Sequence, residues 1–307
     1  MPDSSATLGE LVDDVTATLL GYTQQQEVST YLTSSIDSDD TTLPVASTDG
    51  GGKGQVEIGD ELIYVDRAAG TELTIPPYGR GYRSTTAASH ASGSKVTFRP
   101  LFPRSRVRTE INNTIAMISD EIYGIGSATI TYEGPQTGYD LADADGFTDL
   151  DDLLSVSWNI EDGNNSWMPV RRYRFDAFAD TAVFPSGRAL FLFDPIRPGA
   201  DVRIVFKKTA KPFEADATDT DQLTTATNLD AVCRDLVTLG AVAALAWGVD
   251  LSKASAVGPS PDSLDETRQM GSSSTMARQL FQKFQLRLEA EKSRLNSQVP
   301  FIVRYER

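Results

Sequence analysis

PRSRVRTEINNTIAMISDEIYG, residues 103–124, is the stretch on which the reading of this chain turns. Pro103 is suited to open a helix, since its missing N–H is not needed there. Val107, Ile111, Ile115, Ile118 and Ile122 then recur at intervals of three and four, one continuous stripe down a helix of about 104–123. Gly124 supplies the stop. A single helix with one apolar face cannot bury that face alone, so other helices must lie against it. The sequence on either side, however, is written in strands and turns.

Upstream, residues 29–102 alternate in the strand manner. Val56 and Ile58, then Leu62 and Tyr64, flank a Gly59-Asp60 turn, and Leu73–Ile75 and Lys95–Phe98 read as further strands. Gly50–Gly54 marks a loop. Downstream, Ala128–Tyr132, Leu154–Asn159, Val170–Arg174, Arg188–Phe193 and Val202–Phe206 are short strands separated by turn residues, the pattern of a small sandwich or barrel. The helical partners come from the chain ends. Leu8, Leu11, Val12, Val15, Leu19 and Leu20 form a first stripe, with Thr7 and Glu10 as a capping box. Asn228 reads as the cap of a long apolar helix to about Asp250, and Thr275–Asn296 as a last amphipathic helix.

The expected architecture is therefore α+β: a helical core with two inserted β modules. Residues 1–28 carry the first core helix, 29–102 the first β module, 103–124 the second core helix and 125–212 the second β module. Residues 213–298 carry the C-terminal helices, with a Ser/Gly/Pro-rich hinge loop at 252–274, and 299–307 form a tail.

Composition narrows the chemistry. Among 307 residues, 43 are acidic and 28 basic, a net charge of −15, which argues against a protein whose main task is gripping phosphates. A lumen that repels DNA is compatible with that charge. The N-terminus lacks the basic and apolar regions of a signal peptide, and the longest apolar run, near 237–249, is too short to span a bilayer. The lone cysteine, Cys233, sits in an apolar run and is expected to be a buried thiol. One histidine, His90, excludes a histidine-rich metal centre, and its Ala/Ser/Thr surroundings suggest a ring bonded across a tight turn. Gly50–Gly54 is followed neither by Ser/Thr nor by a helix, so it is no phosphate loop.

Asp140–Asp152 can be laid on a calcium loop with Gly146 at the sixth position and Asp143, Asp145 and Asp152 on ligand positions, but Leu141 then falls on the first. A solvated acidic loop is the better expectation. Trp158, Trp167, Tyr173 and Phe175 would serve a sugar platform, yet strand positions favour a sandwich core. No enzyme, cofactor or metal site is expected.

GDELIYVD (59–66) with GRGYRSTTAASHASGSKV (79–96) resembles β modules in structural proteins of tailed phages. ARQLFQKFQLRLEAEKSRL (277–295) is similar to the closing helix of head-to-tail adaptor, or connector, proteins. That resemblance implies a ring of about twelve copies in the virion neck, seated on the portal protein and followed by a tail-side stopper, with DNA passing through the lumen. It implies assembly in the host cytoplasm and no membrane. The tail would dock on the portal through Phe301, Ile302, Val303, Arg304 and Tyr305, a β-prone segment able to extend a partner's sheet. The cations of the last helix, Arg278, Lys283, Arg287 and Lys292, would meet neighbours whose N-terminal third is acidic. The alternative is a distal-tail, baseplate or capsid-surface β protein that binds host carbohydrate.

Overall fold

The computed structural model describes residues 5–21, 27–134, 138–160, 166–256 and 272–298. Its class is α+β, as the alternation of periods leads one to expect. Helix α1 (Leu8–Gly21) buries Leu8, Leu11, Val12, Val15 and Leu19. Its capping box closes in both directions: the Thr7 amide donates to Glu10 Oε2 at 3.2 Å and the Glu10 amide to Thr7 Oγ1 at 3.3 Å.

Seven strands follow: β1 (Val28–Tyr31), β2 (Thr42–Pro44), β3 (Gly54–Ile58), β4 (Glu61–Val65), β5 (Arg67–Ala69), β6 (Glu72–Thr74) and β7 (Lys95–Phe98). They form two antiparallel sheets, β1-β7-β3-β4 and β2-β6-β5. Val56, Ile58, Ile63, Val65, Leu73 and Val96 meet between them in one apolar cluster.

Helix α2 (Arg104–Ile118) is shorter than its stripe predicts. The Ile118 carbonyl accepts the amides of both Glu121 (3.0 Å) and Ile122 (2.9 Å), so the chain turns there while Ile122 stays buried. Gly124 does not stop the helix, which ends at Ile118 with Ser119 as its cap. Gly124 instead opens strand β8 (Gly124–Thr131) so close to the Asn228 carbonyl that a Cβ would collide with it.

After β8 come β9 (Tyr139–Asp140), β10 (Leu150–Asn159), β11 (Trp167–Pro169), β12 (Tyr173–Asp176), β13 (Ala189–Leu192) and β14 (Asp201–Lys208). The strand expected at 170–174 starts only at Tyr173, with Val170 buried just outside it. The sheets β11-β10-β14-β8 and β12-β13-β9 contribute Val156, Val202, Ile204, Phe206 and Leu190 to a common cluster.

The helices α3 (Leu223–Thr227), α4 (Arg234–Ala256) and α5 (Ser272–Gln298) are the remaining described helices. Asn228 is not the cap of the long helix. It sits at φ 62° as the left-handed residue ending α3, and its side-chain amide donates to Asp149 (2.9 Å) and to the Thr209 carbonyl (3.0 Å). Asparagine tolerates that backbone, and its amide finds partners across the fold rather than on the next helix. The expected loop 252–274 is also shorter, because α4 continues to Ala256 and α5 begins at Ser272. Residues 257–271 lie outside the described residues.

The stripes of α1, α2, α4 and α5 share one cluster that includes Val12, Ile111, Ile115, Leu236, Val242, Leu280 and Phe284. Gly240 of α4 lets α2 and α5 close in, since a Cβ there would run into Thr114 and Phe284. The first two sheets are fastened to these helices by a buried hydrogen bond and by ion pairs. Glu57 of β3 is buried and accepts the Arg104 amide at 2.6 Å, the first free donor of α2. Arg104 reaches Asp13 (2.9 Å), Asp219 (2.9 Å) and Asp60 (3.3 Å).

Burial pushes the Glu57 carboxyl up to about 7, with the nearby carboxylates of Glu27 and Asp60 adding to the effect and Arg104 opposing it. An acid whose folded pKa is raised stabilises the fold fully below its ordinary value near 4.5 and loses that contribution as pH climbs to about 7. Glu57→Gln keeps an acceptor and removes the titration. The variant is expected to flatten the decline in stability between these pH values, on the order of 3 kcal/mol at most. Urea unfolding at pH 5 and 7.5 measures it, and an unchanged slope in the variant would contradict the assignment.

Candidate interaction surface

The motif that carries the phage resemblance closes on itself in space. Glu61, at the start of β4, is 1% exposed. Its carboxylate accepts Arg80 Nε (2.8 Å) and Nη2 (2.9 Å), the amides of Gly81 (3.0 Å) and Ala88 (3.2 Å), and lies 2.8 Å from His90 Nε2. Because a carboxylate only accepts, Nε2 carries the ring proton. Burial works to raise the Glu61 pKa, but the bonds from His90, Arg80 and the two amides outweigh it and hold it down at about 2. Arg80 extends the network to the carbonyls of Asp37, Asp40 and Ala88. His90 thus bonds across the fold, 29 residues back, and not across its own turn as its neighbours suggest. With every Arg80 guanidinium nitrogen and both Glu61 oxygens bonded, the pair of charges ties the turn to β4.

The cations of α5 divide. Arg278 and Lys283 are exposed. Arg287 instead bonds Glu291 (3.3 Å) and the Val232 carbonyl (3.0 Å), and Lys292 pairs with Glu121 (2.7 Å) and Glu289 (3.1 Å). Glu291 is fully buried, paired also with Arg294, and lies 3.9 Å from the Cys233 thiol. Burial, with Glu291 beside it, pushes that thiol up to about 12, so it is an inert core group. Residues 301–305 lie outside the described residues.

On the face formed by α2, α4 and α5, Met117 (56% exposed), Trp247 (44%) and Phe281 (40%) stand open to solvent. Together with Gly240, Ala243, Ala244 and Phe284 they line a cleft of about 280 Å3. Arg278 lies one turn before Phe281 on α5. Periodicity marks such residues as apolar but cannot say that, among the described residues, no element covers them.

The four aromatics weighed for sugar binding are not one platform. Trp158 pairs with Met168, and Trp167 with Asn159, so the two indoles point to opposite faces of their sheet. Trp158, Tyr173 and Phe175 pack against the second β cluster, whereas Trp167 takes Arg203 over its ring at 4.5 Å. In the acidic stretch, Asp140 accepts Ser186, Asp143 binds Arg188, and Asp152 turns onto the Leu153 amide at 2.8 Å. The described residues contain no group of three or more His, Cys, Asp or Glu side chains placed to hold a metal ion. No described helix is long and apolar enough to cross a membrane. No family model and no curated protein sequence matches the chain.

Proposed function

We propose that this chain is a non-catalytic structural subunit of a tailed phage, one copy of the adaptor ring between portal and tail in the virion neck. The observation that carries this reading is the open apolar face of α2, α4 and α5. Three large side chains beside an exposed arginine form the kind of surface that meets another protein. In a ring that partner is the neighbouring subunit, because a contact between unlike faces closes when its rotation closes. The Glu61 cluster adds support, since the residues that resemble phage virion modules meet to shape a turn around one fully bonded carboxylate.

In this reading residues 299–307 engage the portal, a stopper follows on the tail side, and DNA passes through the lumen without sequence-specific contact. Native mass spectrometry of the chain, alone and mixed with its portal, tests it. A monomer that joins a closed ring only with portal present is expected, as is loss of attachment on deleting 299–307 with the fold intact. Normal attachment of the shortened chain would remove the docking tail from the proposal. A trimer or hexamer indifferent to portal would move the protein to the distal tail or baseplate.

A further inference from the structure

Strand β8 is the outer edge of its sheet, bonded to β14 on one side only. Its register with β14 is unbroken over all eight residues, GIGSATIT, with no proline, no charge and no bulge. Sheet edges are ordinarily protected by such devices, because a free row of N–H and C=O groups recruits another strand. The other described edges are short, charged or already bonded: β5 has three residues including Arg67, and β9 has two including Asp140. Strand β11 has three residues and ends in Pro169, and β2 has three and ends in Pro44. Along β4, Tyr64 donates to the Gly79 carbonyl and Leu62 to Thr85 Oγ1, and on β1 the Tyr31 carbonyl accepts Ala46. Strand β12 carries Arg174 and Asp176. Among the described residues β8 alone is long, uncharged and bare.

At its first residues lies a cleft of about 410 Å3 lined by Tyr123, Gly124, Ile125, Leu229, Leu295 and Gln298, among others. Gln298, the last residue of α5, lines this cleft, and nine residues, 299–307, follow it in the sequence. Ile125 is 44% exposed at the same place. At about 3.3 Å per residue, nine extended residues reach roughly 30 Å, enough to run the length of an eight-residue strand. The segment reads VPFIVRYER: Pro300 has no N–H to give, and Phe301, Ile302, Val303 and Tyr305 are strand formers.

We infer that the β8 edge is the docking site of residues 299–307 of the same chain, which add a fifth strand to the sheet, parallel to β8. This goes beyond the adaptor reading. It concerns the residues proposed there to reach the portal, and gives them a place in the unattached protein.

Hydrogen–deuterium exchange of the free chain, without portal, tests it. Removing 299–307 is expected to speed exchange in peptides covering 124–131 by about tenfold or more at the amides facing the edge, with 201–208 unchanged. A full-length chain carrying both Ile302→Pro and Val303→Pro should behave like the deletion, since proline cannot donate. Excess VPFIVRYER peptide should restore protection to the shortened chain. Equal exchange of 124–131 with and without the tail overturns the inference, and protection that vanishes on dilution of the full-length chain overturns it in favour of a second copy as donor. Either failure leaves the portal experiment to decide the adaptor reading separately.

Discussion

Replacing Glu61 by alanine is expected to cost about 3–5 kcal/mol, because it strands a buried positive charge rather than merely deleting a contact. The Arg80 side chain is 10% exposed and that of His90 11%, so neither can turn to water without opening the turn between residues 79 and 90. The amides of Gly81 and Ala88 lose their acceptor at the same time. Gly81 at φ 57° and the Gly79 carbonyl bonded to Tyr64 hold that turn in place, so the damage should spread along β4. Glu61→Gln, which keeps the shape and part of the hydrogen bonding, should cost less. Urea unfolding measures both, and an alanine variant within about 0.5 kcal/mol of the natural protein would refute the charge-cluster account.

The same carboxylate sets an acid limit. A group whose folded pKa is depressed stabilises the fold above its ordinary value, here 4.5, and loses that contribution as pH falls towards about 2. Glu57 acts in the opposite window, between about 4.5 and about 7. From these two groups the first β unit should be most secure near pH 4.5–5, a few residues apart in sequence and opposite in sign.

Phe147→Ala should be comparably damaging, about 3–5 kcal/mol, from lost burial and the cavity left behind. Phe147 is fully buried, with its ring centroid 5.6 Å from that of Phe206. It follows Gly146, whose φ of 93° lets the chain turn inward, and Arg188 ties the loop down through the carbonyls of Phe147 (3.2 Å) and Leu150 (3.3 Å). The acidic stretch is thus a lid on the second β cluster, anchored by one aromatic residue. Chemical denaturation checks the magnitude; a loss under about 1 kcal/mol would mean that the loop is not anchored there.

Much of the framework was legible. The stripes on α1 and α2 and the capping box at Thr7 depend on residues within a turn or two of one another, and short-range spacing records such relations. Helix ends were read less well. Ile122 belongs to the same apolar stripe as Ile118, but the backbone leaves the helix between them. Asn228 has the side chain of a helix start and serves a helix end, and only its φ separates the two roles. Of the four cations assigned to partner contact, spacing could not show that Arg287 and Lys292 are engaged by Glu291 and Glu121 within the chain.

The amino-acid sequence by itself determined the α+β class, the burial of Cys233 and the alternation of helical and extended segments, because local propensity and apolar period act over a few residues. Tertiary structure alone decided which charges meet and which surfaces stay open. Glu61 finds partners 19 to 29 residues away, Arg104 joins carboxylates from three separate segments, and among the described strands β14 alone pairs with β8, on one side. Such long-range pairings depend on the path of the whole chain, which no local pattern carries.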